Sequence, residues 1–287
     1  QQRSMMNILW KHEAFPREMK NSILNYAQDY VMGAMAGMLG TRIAELMQKE
    51  NPPFLGGGIS FNDDYLVTNA MACSGFSILF ADNQHKTAIE AMYREMLRAE
   101  RFGFTLSEYE RYREGFKANI ENMYERRDKI SNGSYVNEYI RHFLDNEAAP
   151  GIEWEHTNLI QIADHVTVDQ INQTLTQLYE ERKGAAPVIF GMFPQKDDLT
   201  MPTKDEVLAI LKAVEAEEIE AYKEEVSDEP ILDDSKLKGS KIKKIEKAAF
   251  DFTKLTLKNG IEIFVRKTDF TPNNISMSAI SWEAQIG

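Results

Sequence analysis

Between Pro16 and the Pro52-Pro53 pair, apolar side chains recur at Ile23, Ala27, Tyr30, Val31, Ala34, Met38, Ile43 and Leu46, the spacing of one helix face. Pro16 suits a first helical turn, where its missing amide hydrogen is not needed, and Pro52-Pro53 forbids continuation. The period predicts a helix over Pro16–Lys49, about 50 Å long at 1.5 Å per residue. Gly33, Gly37 and Gly40 fall inside it and predict close packing or a bend. Gly33-x-x-x-Gly37 has the spacing of a membrane dimer motif, but Asn21, Gln28 and Asp29 are out of place in lipid. Close packing in a soluble domain is the reading.

In the flanking sequence, Met5–Trp10 reads as a strand, and three more strand-like segments follow the helix, at Phe54–Phe61, Tyr65–Cys73 and Phe76–Phe80. Asn62-Asp63-Asp64 and Ser74-Gly75 offer turn chemistry between them, so an antiparallel meander is predicted. Gly56-Gly57-Gly58 lacks the Gly-Lys-Ser/Thr of a phosphate loop and marks a distorted strand or a close backbone approach. Helices are predicted over Lys86–Ala99, from the capping box Thr105-x-x-Glu108 toward Arg127, over Tyr135–Leu144, from Thr167-x-x-Gln170 to Tyr179, and after Thr203-x-x-Glu206. Pro187–Phe193 reads as a closing strand. Residues 1–214 therefore form an α+β domain, a two-layer sandwich of helices on a mostly antiparallel sheet.

From 215 to 248 an acidic series (Glu215, Glu217, Glu218, Glu220, Glu224, Glu225) gives way to lysines (Lys236, Lys238, Lys241, Lys243, Lys244, Lys247), with too few apolar residues for a core. A solvated linker is expected there. Residues 249–287 read as the incomplete start of a further β-containing domain, a hairpin plus a strand at Ile275–Trp282. In the hairpin, Leu255 and Leu257 precede Asn259-Gly260, and Ile261, Ile263 and Val265 follow it. A two-residue turn would put these two apolar sets on opposite faces. A three-residue loop, Lys258-Asn259-Gly260, pairs Leu257 with Ile261 and Leu255 with Ile263, and is predicted with Gly260 left-handed.

The 45 acidic and 33 basic residues give a net charge of −12, which argues against nucleic acid and anionic membrane as partners. The single cysteine, Cys73, permits no internal disulfide, so cysteine usage does not separate cytoplasm from periplasm for this soluble chain. No apolar run reaches the length of a membrane span. Gln1-Gln2-Arg3-Ser4 is neither an initiator Met nor a signal peptide, and suggests a processed or excised piece.

Metal-dependent proteases set two histidines on one helical face beside a Glu, as H-E-x-x-H or H-x-x-E-H. His12-Glu13 opens such a motif, but Pro16 occupies the second histidine's place. His156 and His165 are nine residues apart, on opposite faces of any helix, and His85 and His142 are isolated. No G-x-S-x-G elbow, paired-cysteine site or dinucleotide fingerprint is present. No catalytic, cofactor-binding or metal-binding residue is nominated.

Two stretches nonetheless resemble the pitrilysin/insulinase-type zinc metallopeptidases. One runs from Met38-Leu39-Gly40-Thr41-Arg42-Ile43 and Leu46 through the meander to the Gly103–Gly115 run GFTLSEYERYREG. The other is Phe252–Asp269, FTKLTLKNGIEIFVRKTD, similar to the opening hairpin of a homologous domain. The family's single-chain members hold four homologous α+β domains in two halves that close around a peptide chamber. The resemblance implies a second domain, the linker between halves and the start of a third domain. Its partners would be an upstream catalytic domain, the downstream half of the same protein and a peptide substrate. Zinc is expected in the full-length parent and not in this segment, which alone is expected to be inactive. The family's fourth domain carries an Arg and a Tyr that assist zinc chemistry. Met47 and Phe54 stand at those positions here, and neither can donate to an oxyanion. The alternative is a segment of a catalytically inactive scaffold or partner subunit of the same fold.

Overall fold

The computed structural model describes residues 3–62, 68, 70–224, 235, 238–269 and 275–280. The chain divides into two compact units, Gln1–Lys223 and Glu224–Gly287. In the first, strand β1 (Ser4–Glu13) leads to helix α1 (Ile23–Met47), strands β2 (Gly56–Asn62) and β3 (Met71–Phe80), and helices α2 (His85–Phe102) and α3 (Leu106–Glu125). Helices α4 (Asn132–Asp145), α5 (Ile152–His165) and α6 (Val168–Arg182), strand β4 (Val188–Met192) and helix α7 (Lys204–Glu215) complete it. The sheet order is β2-β3-β1-β4, with every neighbouring pair antiparallel.

Alternation along the strands places the core on one face of the sheet. Met6, Ile8 and Trp10 of β1, Ile59 and Phe61 of β2, and Phe76, Ile78 and Phe80 of β3 are all buried. Against them lie Met35, Met38 and Leu39 of α1, Ile89, Met92 and Met96 of α2, and Ile171 and Leu175 of α6. This is the α+β helix-on-sheet sandwich that the sequence predicts.

Helix α1 begins later than predicted. After Pro16 the chain makes a 3₁₀ turn at Arg17–Met19, and extended Ser22 (φ −147°) caps the helix at Ile23. Its 25 residues span about 38 Å. The glycine reading holds at two of three positions. A Cβ on Gly33 would lie 3.1 Å from the Tyr112 hydroxyl and one on Gly37 2.7 Å from the Tyr112 ring, so α3 packs closely there. Gly40 has nothing within 4 Å.

Among the described residues the predicted three-strand meander is two strands. Ser74-Gly75 is not a turn: β3 runs through it, paired with β1 on one side and β2 on the other. A Cβ on Gly75 would stand 2.2 Å from the Ile8 carbonyl oxygen, so this glycine marks a close approach of backbones and not a reversal. Gly57 does the same against the Ser77 carbonyl oxygen, also at 2.2 Å, as the triple glycine suggested. Tyr65–Val67 and Asn69, part of the predicted middle strand, lie outside the described residues.

The capping boxes at Thr105/Glu108 and Thr167/Gln170 form, and Thr203 caps α7. Helix α5 was not predicted. Its apolar residues Ile152, Trp154, Leu159, Ile160 and Ile162 are irregularly spaced, and Gly151 (φ +87°) replaces a hydroxyl cap.

In the second unit, β5 (Ile242–Lys247), β6 (Thr253–Leu257) and β7 (Glu262–Val265) form an antiparallel sheet in that order. The hairpin has the predicted register: Leu255 pairs with Ile263, the Leu257 amide donates to the Ile261 carbonyl (2.9 Å), and Gly260 has φ +92°. The third strand differs. It is Ile242–Lys247, drawn from the predicted linker, whereas residues 275–280 carry no strand and Ser281-Trp282 lie outside the described residues. Among the described residues no helix is long and apolar enough to cross a membrane.

Candidate functional site

The end of β1, the first half of α1, the end of β2 and one face of α6 enclose a cleft of about 950 Å³. Its lining is mixed, polar at Lys11, His12, Gln28, Asp29, Asn62 and Gln177 and apolar at Met32, Phe61 and Leu178. His12 shares its Nδ1 proton with the Glu13 carbonyl oxygen at 3.1 Å. That leaves Nε2 as an acceptor, sheltered from solvent and without a hydrogen-bond partner among the described residues. A cleft of this size with mixed walls suits a peptide segment or a polar small molecule. It presents no hydroxyl–histidine or thiol–histidine pair among the described hydrogen bonds.

Outside the cleft lining, two arginines are buried in acidic surroundings. Arg42 of α1 donates from Nε and Nη2 to both carboxylate oxygens of Glu108 (2.6 and 2.9 Å) and to the Gly103 carbonyl (3.1 Å). Its side chain and that of Glu108 are 1% and 4% exposed. Glu108 also accepts from the Thr105 amide (2.8 Å), so one carboxylate closes the capping box of α3 and holds α1. Glu95 lies 3.6 Å from Arg42 Nη1 and pairs with Arg98. Burial pushes the Glu95 carboxyl up from its ordinary value, opposed by Arg98 and Arg42. The second centre is Arg182 of α6, paired bidentately with buried Glu100 and stacked over the Trp10 ring at 4.6 Å. Tyr93, beside it, donates to Glu215 (2.6 Å), and burial pushes its hydroxyl well above the usual range.

These networks reach into the predicted linker and change its character. Arg94 holds Glu217 bidentately (2.6 and 2.9 Å), Arg98 donates to the Glu220 carbonyl (3.0 Å), and Arg101 to the carbonyls of Glu215 and Glu217. Ile219 is buried, and the Tyr222 ring covers the Arg42 guanidinium at 4.2 Å while its hydroxyl donates to Glu45. Residues 215–223 are thus strapped along α2 by arginines one to two turns apart, with Ile219 buried and most of the acidic side chains still exposed. The charge pattern by itself does not reveal that these residues have arginine partners on α2.

The histidines are dispersed. His85 contacts Glu206 (3.0 Å), His156 stacks on Tyr124 and faces Glu121, His142 bonds the Glu147 carbonyl and His165 the Gln161 carbonyl. Among the described residues, no three His, Cys, Asp or Glu side chains converge on a point where a metal could sit. Met47 is partly exposed at the end of α1, and Phe54 is buried in the core. Sequence reasoning missed the buried charge pairs. Arg42 within an apolar helix face was their only signal, and Glu108 was read as a cap alone.

No family model matches the chain. A curated relative, the zinc protease PQQL-like of Arabidopsis thaliana, is 27% identical over 181 residues, 63% of this chain and 18% of that protein. Among solved structures, the periplasmic protease PqqL of Escherichia coli superposes with a TM-score of 0.65 at 15% identity, over 94% of this chain and 29% of that one. The first half of PqqL alone gives 0.62 at 13% identity, over 77% of this chain and 45% of the half. The chain thus spans under a third of the full-length proteins it matches. In fold it is similar to the solved PqqL structures, and in sequence to a zinc protease-like relative, in line with the resemblance to pitrilysin/insulinase-type zinc metallopeptidases that its motifs carry.

Proposed function

We propose that this chain is a non-catalytic segment of a zinc metalloendopeptidase, forming one wall of a chamber that encloses a peptide, with the zinc domain upstream. Residues 1–214 act as the second domain, 215–248 as the connection between halves, and 249–287 as the start of a third. The observation that carries the reading is the extent of the likeness. The first half of PqqL accounts for 77% of the chain, close to the share held by Gln1–Lys223, and the whole protease for 94%. A chain crossing from the first half into the second would show that difference. Two features support a peptide as ligand: the mixed-walled cleft beside β1, and the edge position of β2 in the described sheet, the kind of place where an extended peptide can add as a strand.

In such an assembly the zinc-activated water and its Glu base belong to the upstream domain. This segment supplies enclosure and orientation, which raise effective concentration without touching the bond that breaks. The test is reconstitution: the upstream domain, this chain, and their mixture are assayed on an unstructured peptide. Cleavage by the mixture and by neither part alone is expected. Equal cleavage by the upstream domain alone would refute the wall role, and an upstream sequence without H-x-x-E-H would move the protein to the inactive partner class.

A further inference from the structure

Helix α4 is amphipathic, yet none of its residues is buried. Tyr135 (36% exposed), Val136 (52%), Tyr139 (59%), Ile140 (49%), Phe143 (81%) and Leu144 (59%) fall on one half of its surface at about 100° per residue. Asn137, Glu138, Arg141, His142 and Asp145 occupy the other half. Helices of roughly 12–15 residues are marginal in water and are normally held by burying their apolar face. Among the described residues the hydrogen bonds of α4 to the rest of the unit gather at the C-terminal end: Arg17 donates to the Leu144 carbonyl (2.9 Å), Asn146 to the Arg17 carbonyl (3.0 Å), and His142 meets the Glu147 carbonyl (2.6 Å). Among the described residues most of the apolar half stays exposed, and none of its side chains is buried.

We propose that this face docks on an apolar surface of the adjoining domain in the same half of the parent protein, and that α4 is a domain–domain contact. This rests on the peptidase-segment reading. The chain covers 45% of the solved first half it resembles, which leaves room there for a second body of similar size. Contacts between domains of one chain bury about 600–1,500 Å². At about 150–250 Å² per aromatic side chain, Tyr139 and Phe143 expose on the order of 300 Å² together, and four further apolar residues extend the patch. The size is right for one side of such a contact. The flanking Arg141 is already paired with Glu147 (3.0 Å), so the face asks for an apolar partner and not a charged one. Lipid fits poorly, because a surface-bound helix carries a lysine- and arginine-rich polar face and α4 has only Arg141.

Hydrogen exchange over residues 132–145 tests this, comparing the 287-residue chain with the parent polypeptide that includes the preceding domain. In the chain alone, exchange close to that of an unstructured peptide is expected. In the parent, protection should rise roughly a hundredfold and be lost in Phe143→Glu, while amides of α2 keep theirs as the folding control. Three results would overturn the proposal: fast exchange in the parent, equal protection in the chain alone at every dilution, or protection in the chain that grows with concentration, which would mean a second copy. Zinc content and peptide cleavage of the same parent sample separate the two ideas. A zinc-bearing, active parent with unprotected 132–145 sinks the docking alone. A metal-free, inactive parent with protected 132–145 sustains the docking and sinks the peptidase reading.

Discussion

Glu108→Ala removes a single carboxylate that serves two elements. It strips Arg42, 1% exposed, of its bidentate partner and the Thr105 amide of its acceptor. Removing one member of a buried ion pair costs about 3–5 kcal/mol, because the other charge stays desolvated. Loss of an N-terminal cap costs about 1 kcal/mol, and the two losses overlap because one group makes both contacts. Glu95, at 3.6 Å, offsets part of the stranded charge. A net loss of about 3–4 kcal/mol results, a large fraction of the roughly 5–15 kcal/mol that stabilises a domain. In a unit of this size that lowers the thermal midpoint by about 6–16 °C, read from unfolding monitored at buried Trp10. The double variant Arg42→Met/Glu108→Leu should recover much of the loss, since it leaves no stranded charge. A midpoint shift in Glu108→Ala below about 2 °C, or a double variant worse than the single, would refute the claim that Arg42 depends on this partner.

Glycine and strap chemistry give further tests. Gly37→Ala sets a methyl 2.7 Å from the Tyr112 ring and should destabilise by about 1–3 kcal/mol, whereas Gly40→Ala meets nothing and should be neutral or stabilising by up to ~1 kcal/mol; chemical denaturation distinguishes them. Arg94→Ala/Arg101→Ala should expose residues 216–223 to limited proteolysis while leaving the thermal midpoint of the sheet domain within a few degrees, because each of these partly exposed pairs contributes only about 0.2–1 kcal/mol. The Arg94 guanidinium holds the Glu217 carboxyl below its ordinary value. The strap's ionic hold is therefore complete above the usual carboxylate range and is lost as pH falls through the lowered folded value. Proteolysis of 216–223 by an acid-active protease should accelerate on acidification, and a pH-independent rate would contradict the ion-pair account.

What was legible in the sequence follows from how local each signal is. The three caps at Thr105, Thr167 and Thr203 rest on contacts three residues apart, so they read directly. The hairpin register was legible because only one loop length puts Leu255 and Ile263 on the same face. Gly75 misled because a glycine needed for backbone approach to Ile8, 67 residues away, looks locally like a turn residue. The acidic run at 215–223 misled in the same way, since its arginine partners lie over a hundred residues earlier. The β5 strand inside the lysine series is exposed along almost its whole length, so no apolar alternation announced it. The cleft is built from β1, α1, β2 and α6 together and left no signature in any one segment.

Zinc stoichiometry of the purified 287-residue chain, measured by elemental analysis after exhaustive dialysis, bears most directly on the chain's role as a metal-free wall. The expected result is background metal in this chain and one tightly held zinc in the parent that includes the preceding domain. One equivalent of zinc retained by this chain through its own side chains would contradict the account.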